Sequence, residues 1–338
     1  MAVDAPPDFA TTATLPLIPG LRFRHFAGPS DYPAMNDIAN DSRQANGIHF
    51  ITPLDGFANF YEHLDRTDRA RDLFIVEVDG RMVGYARTQW HDVAEGRIHE
   101  LICFLHPESR RRGIGTAMQA AIEGRALEVL TEQPTEGLAF YEAESQNEPA
   151  ADALFAAGGY VPVRRSYEMV RPTLEPLEDA PMPDGLEIRP VREEHLRPIW
   201  DAAEEAFRDA WGYRPSTEAK YQLFLTEPLQ SDRGLWRIAW DGDQVAGQVR
   251  GFINEDENER YGLKRGWVEN ISVRRPWRKR GLARALINAT FEALRERGMT
   301  EGALGVDTEN VSGALRLYES CGFRPVSTTT TYRKPMPR

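Results

Sequence analysis

The chain has 338 residues, enough for about two domains of ordinary size, each able to bury its own core. Its 41 basic and 52 acidic residues leave a net charge of −11, which argues against a general nucleic-acid binder, and no apolar run approaches the ~20 residues of a membrane-spanning helix. Two cysteines, Cys103 and Cys321, give no disulfide framework and fit a reducing cytoplasm.

Residues 1–20 are rich in Pro and Thr, carry Asp4 and Asp8, and are expected to form a loose tail or an arm on the other domain rather than a signal peptide. Residues 21–171 read as a first domain. Within it, Asp79-Gly80 is a hairpin signal between alternating apolar runs. An apolar strand follows, and Arg110-Arg111-Arg112-Gly113-Ile114-Gly115 then opens a long helical pattern. A turn of the form Arg-x-x-Gly-x-(Gly/Ala) leaves backbone N–H groups that can cradle a pyrophosphate, with a helix dipole behind them. That pattern points to a nucleotide-bearing cofactor. A shorter helical pattern after Asn147 ends Leu154-Phe155-Ala156-Ala157-Gly158-Gly159-Tyr160. His99, Cys103 and His106 fail as a metal site, because on a strand positions 99 and 103 share a face that 106 does not, and no fourth ligand is near. No metal is expected.

Residues 172–185 hold Pro172, Pro176, Pro181 and Pro183 among acidic residues without an apolar period, which predicts a semi-extended linker. Residues 186–338 then repeat the first domain. A strand is expected near 186–190, a helix over 193–209, a hairpin across 235–253 and a strand over 267–273. A helix over 281–298, a strand over 302–307, a helix over 310–320 and a last pair of strands within 322–334 complete the set. Asp241-Gly242 repeats the hairpin signal, Arg278-Lys279-Arg280-Gly281-Leu282-Ala283 repeats the turn, and residues 310–323 repeat the second helical pattern. Three matches in nearly constant register mark a duplicated domain. Mixed strands and helices with a mainly antiparallel start indicate an α/β fold of two tandem domains, each a largely antiparallel sheet flanked by helices.

The strand and phosphate turn, followed by Asn310-x-x-x-Ala314-x-x-Leu317-Tyr318-Glu319-x-x-Gly322-Phe323, resemble the GNAT superfamily of N-acetyltransferases in its tandem form. The resemblance implies acetyl-CoA as donor, a primary amine as acceptor and direct attack within a ternary complex. It implies that the backbone of Ile271, Ser272 and Val273 meets the pantetheine arm, and that Arg278, Lys279, Arg280, Gly281, Leu282 and Ala283 hold the pyrophosphate. Asn310 is expected to bond the pantetheine, although capping of the next helix would explain it equally. Glu269, four residues before Val273 and so on the same strand face, is the candidate general base; an exposed strand-end glutamate is the other reading. Tyr318 stands where the family places a general acid, since a phenol of pKa ~10 can return a proton to a departing thiolate of pKa ~8.5.

The first half keeps Leu105, Arg110, Arg111, Arg112, Gly113 and Gly115 around its turn, and keeps Asn147. Phe155, which has no proton to give, stands at the position of Tyr318, and Glu100 lies one residue farther from its turn than Glu269 does. The second half is therefore expected to catalyse. The first is read as a degenerate partner that stabilises the pair, shapes the acceptor cleft or holds acetyl-CoA. Acidic residues 254–259 either steer a cationic amine or form a solvated loop. Trp211, Tyr213, Tyr221 and Trp236 either wall a pocket or fill the core. The leading function is acetyl transfer to a small-molecule amine, ahead of a protein N-terminus or lysine; the alternative of another class is an acyl-CoA-binding regulatory module without turnover. No nucleic-acid or membrane partner is expected, the expected location is the cytoplasm, and a monomeric pseudo-dimer and a homodimer both fit.

Overall fold

The computed structural model describes residues 16–177, 179–310 and 313–337, so most of the expected tail lies outside the described residues. Two compact units form: one runs to Arg164 and is completed by residues from Thr329 on, the other is Arg165–Thr328.

The first unit starts with β1 (Leu21–His25), α1 (Tyr32–Ala45), α2 (Leu54–Glu62) and the one-turn α3 (Arg69–Asp72). The hairpin β2 (Leu73–Val78) and β3 (Arg81–Val93) follows, then β4 (Gly96–Leu105), α4 (Ile114–Glu132), β5 (Leu138–Gln146), α5 (Pro149–Ala157) and the start of β6 (Val161–Arg171). The hairpin turns tightly because Asp79 and Gly80 both take positive φ, 51° and 78°, a pair whose twist suits two antiparallel strands. Strands β1 to β4 pair antiparallel and β4 pairs β5 in parallel. Ile114, Met118 and Ile122 of α4 are buried in one hydrophobic cluster, and Met35, Phe57 and Tyr61 of α1 and α2 in another.

The second unit repeats this order. Its elements are β7 (Glu187–Ile188), α6 (Leu196–Phe207), α7 (Glu218–Thr226), β8 (Trp236–Asp241), β9 (Gln244–Ile253), α8 (Glu255–Tyr261), β10 (Arg265–Val273), α9 (Leu282–Glu296), β11 (Glu301–Asp307), α10 (Ala314–Ser320) and β12 (Arg324–Pro335). Leu286, Phe291 and Leu294 of α9 fill one cluster, while Ile199 of α6 and Phe224 of α7 pack with Trp236 in the other. Each unit is thus a mixed, largely antiparallel sheet with helices on it, as expected. No helix among the described residues is long and apolar enough to cross a membrane.

Three details differ from expectation. The last pair of strands in each half is one long strand. Ser166–Arg171 of β6 pair with β11 in the second unit, and Thr329–Pro335 of β12 pair with β5 in the first. The units therefore divide at residues 164 and 328 rather than at 171 and 186, because β5 and β11 each need a strand on the edge that those segments cover. The Pro-rich segment is not a free linker: Leu174 is 2% exposed in the second unit's core, and its N–H donates to the Thr300 carbonyl at 2.9 Å. Arg171 fastens the same segment by donating to the carbonyls of Thr173 and Pro176. Finally, the acidic stretch is helix α8, capped by the Asn254 side chain, which accepts from the Glu257 N–H.

Candidate active site

The parallel pairing of β10 with β11 ends at Trp267, opposite Ala303, and beyond it the strands part. On its other edge β10 stays paired to β9, with a bulge between Glu269 and Ser272 where Asn270 takes φ 52°. The extra residue breaks the alternation of side chains. Glu269 pairs with Arg250 and Val273 with Gly247, so the two do not share a face, contrary to simple counting. Val273 instead packs, with Ile271, against the α9 cluster, and Ser272 is buried.

Glu269 reaches across the parting strands, where its Oε1 accepts from the Gly305 N–H of β11 at 3.0 Å. Burial pushes its carboxyl up to about 7, against the lowering effects of the Gly305 and Asn270 N–H groups and of the Arg250 charge. Tyr318 of α10 is 6% exposed and packs edge-on to Phe323, with ring centroids 6.3 Å apart. Burial raises its pKa, and the charge of Glu269 raises it further. The fold thus brings Glu269 and Tyr318 within electrostatic reach of each other.

Before α9 the backbone takes positive φ at Lys279 (61°) and Gly281 (86°); before α4 it does the same at Arg111 (63°) and Gly113 (84°). Two left-handed residues, one of them glycine, turn successive N–H groups to the same side ahead of a helix start. A Cβ on Gly281 would meet nothing within 4 Å, so the turn is open above it. Leu282 is buried in the core and Ala283 is half-buried. The arginines divide their tasks in a way the motif did not reveal. Arg278 donates to the carbonyls of Val273 and Ala206 and pairs with Asp209, which braces the turn against α6. Arg110 does likewise against α1, through Ser42 Oγ at 2.8 Å and Asn46 Oδ1 at 2.9 Å. Arg280 donates to the Asp184 carbonyl. Lys279 is exposed, as are Arg111 and Arg112 at the first turn. Gly313, at φ 76°, is the N-cap of α10, and the carbonyl of Asn310 accepts from the Gly313 N–H.

In the first unit β4 and β5 part after Glu100 and Glu142. A cavity of about 430 Å³ is lined by Cys103, Leu105, Arg110, Arg111, Gly113 and Phe155, among others. Strand β4 has no bulge: Arg87, the counterpart of Arg250 in the repeated Gly-x-x-Arg (Gly84 to Arg87, Gly247 to Arg250), pairs with Ile102. An isoleucine therefore stands at the site of Glu269. Phe155 packs between Tyr160 and Tyr332 at 5.5 and 5.3 Å. Cys103 is exposed to this cavity. The second thiol, Cys321, is buried.

Helix α8 redirects the acidic stretch. Glu257 is fully buried, accepting from Arg265 at 3.0 Å and from Trp267 Nε1 at 2.8 Å, so it steers nothing. Tyr221 and Trp236 fill the core beside Phe224, and Tyr213 bonds Glu204; Trp211 is partly exposed. Among the described residues one group of possible metal ligands converges, His91, Glu100 and Glu142, within 4.8 Å, and Glu142 is already paired with Arg333 at 2.7 Å. Sequence reasoning missed Arg250, although the repeated Gly-x-x-Arg was a signal for it, and missed the Gly305 N–H, which only the sheet register reveals.

Two parting parallel strands and a left-handed turn opening a helix, both present twice, with a bulge on the strand of the second unit alone, define an acyl-transfer scaffold. The model of the acetyltransferase (GNAT) family matches residues 34–154 and again 196–323, and the chain belongs to that family. It is 30% identical over 312 residues to the mycothiol acetyltransferase of Salinispora arenicola, covering 90% of this chain and 94% of that one. To the mycothiol acetyltransferase of Thermomonospora curvata it is 31% identical over 274 residues, 80% of this chain and 85% of the other. A solved GCN5-related N-acetyltransferase from Sphaerobacter thermophilus matches with TM-score 0.70 and 27% identity, over 96% of this chain and 98% of that one. A tandem GNAT protein from the clavulanic acid biosynthesis pathway shares the fold at TM-score 0.65 and 16% identity, over 94% and 99% of the two chains. The protein is an N-acetyltransferase with two GNAT domains.

Proposed function

We propose that the second unit transfers the acetyl group of acetyl-CoA to the primary amine of a small molecule, with Glu269 as base and Tyr318 as acid. The observation that carries this reading is the placement of Glu269 in the gap between β10 and β11, electrostatically coupled to Tyr318. The relatives named mycothiol acetyltransferases support a small-molecule acceptor.

Beyond Trp267 no described strand pairs with the β11-facing edge of β10, so the backbone of Ile271 to Val273 has an edge free for the pantetheine arm. The open turn at Gly281, with N–H groups ahead of α9 and the charges of Lys279 and Arg280, suits the pyrophosphate. Bound there, acetyl-CoA supplies a thioester carbonyl and a thiolate leaving group. Glu269, directly or through a water, takes the proton that the amine loses as its nitrogen attacks. Tyr318 gives its proton to the departing sulfur. The two steps help each other: once Glu269 is protonated, the negative charge that raised the Tyr318 pKa is gone, and the phenol becomes more acidic when its proton is needed. The first unit has the turn and a cavity but Ile102 and Phe155 in place of the base and acid, so its part is to hold acetyl-CoA without turnover.

Kinetics of two variants test the assignment. Glu269→Gln should lower kcat/KM by roughly 10²–10⁴-fold, and Tyr318→Phe should lower kcat by roughly 10–100-fold with little change in KM. Wild-type kinetics in both variants would remove the second unit as the catalytic one.

A further inference from the structure

On the sheet face of the second unit that α7 covers, Trp236, Arg250 and Glu269 stand side by side across β8, β9 and β10, since Arg250 pairs with Trp236 on one strand and with Glu269 on the other. Arg250 is 7% exposed, its Nε is buried without a hydrogen bond, and it forms no ion pair among the described residues. Its guanidinium lies over the rings of Phe224 at 4.9 Å and Trp236 at 5.5 Å. Trp236 Nε1 is also buried without a hydrogen-bond partner. Two orphaned donors on neighbouring residues, one of them charged, are rare in a folded protein, because each forgoes its bonds to water. The first unit repeats the feature: Arg87 is 5% exposed, its Nε has no partner, and it sits over Phe60 and Tyr61. Cross-strand neighbours hold their Cβ atoms about 5 Å apart, so a group at Arg250 and a group at Glu269 can belong to one small molecule.

We propose that Arg250 is a specificity-determining residue that receives the carboxylate of the acceptor, so that the acceptor is an α-amino acid, its amine at Glu269 and its carboxylate at Arg250 and Trp236 Nε1. The proposal rests on the reading of Glu269 as the residue that meets the amine. Opposite charges on adjacent strands match a zwitterion whose ammonium and carboxylate share one carbon. A doubly charged phosphate would fit less well, since the Glu269 carboxylate beside it repels the second charge. The planar guanidinium fork can engage a carboxylate through two N–H groups, and the rings over it keep water out.

Direct binding tests this without requiring turnover. L-alanine with ethylamine, L-cysteine with cysteamine, and L-tyrosine with tyramine are titrated into the full-length wild-type protein and into Arg250→Met and Arg250→Lys, with heat and tryptophan fluorescence as readouts. Circular dichroism establishes that the variants are folded. At least one acid should bind roughly 100-fold more tightly than its decarboxylated partner. Arg250→Met should bring that pair together, and Arg250→Lys should keep part of the preference. Equal binding of acid and amine by the wild type, absence of binding in every pair, or a preference untouched in Arg250→Met would overturn the proposal. The same preparations are then assayed for acetyl transfer from acetyl-CoA to the preferred acid. Acid-selective binding through Arg250 without transfer would leave the carboxylate site standing and sink the reading of Glu269 as the residue that meets the amine, whereas transfer to amines lacking a carboxylate as efficiently as to the acids would do the reverse.

Discussion

Glu269 owes its chemistry to one inserted residue. The bulge at Asn270 moves the carboxylate into the gap between β10 and β11, where desolvation raises it to about 7. A general base works in its ionised form, so activity should rise with pH through about 7, by close to tenfold per pH unit on the acid side, and level off above it. Glu269→Gln should abolish that limb. A limb near 4.5, the value of an ordinary exposed glutamate, would show that the group acting is elsewhere. This residue was half legible in the sequence. A carboxylate near the strand end could be read directly; its facing could not, because counting by twos assumes an unbroken ladder. Phe155 and Tyr318 were simpler, since the difference between a phenyl and a phenol is visible without a structure. Arg110 and Arg278 misled for another reason: a charge beside a phosphate turn looks the same in a sequence whether it faces a ligand or braces a neighbouring helix.

At the scale of elements, local signals read well and distant ones did not. The Asp-Gly hairpins and the turns before α4 and α9 are encoded in adjacent residues, and they form where expected. Helix α8 was hidden because its acidic residues resemble a solvated loop; its stability comes from the Asn254 cap and from the partners of Glu257 on β10, Arg265 and Trp267. The segment after Arg171 was hidden because its apolar residues are too sparse to show a period. Leu174 nonetheless lies in the core of the second unit, so Leu174→Ala should destabilise that unit by about 3 kcal/mol, on the order of 10 °C in a thermal melt. A melt indistinguishable from that of the wild type would return the segment to the status of a linker.

For the whole molecule, the duplication was legible because three motifs recur in nearly constant register, and it sufficed to assign the fold. The exact division was not, since pairing of the ends of β6 and β12 depends on contacts far apart in the chain: Tyr332 lies opposite Ala143, and Val170 opposite Ala303. Two copies of one scaffold have diverged in chemistry rather than in shape. The first keeps the turn, the parted strands and the buried arginine; the second alone has Glu269 and Tyr318. This division of labour is tested most directly by calorimetric titration of acetyl-CoA into the wild type, Gly281→Glu and Gly113→Glu. A glutamate in either turn places bulk and like charge where the phosphates would sit, at a left-handed position that disfavours any side chain. Gly281→Glu is expected to lose a binding site that Gly113→Glu retains. Unchanged binding in Gly281→Glu, or no heat of binding in folded wild-type protein, would contradict it.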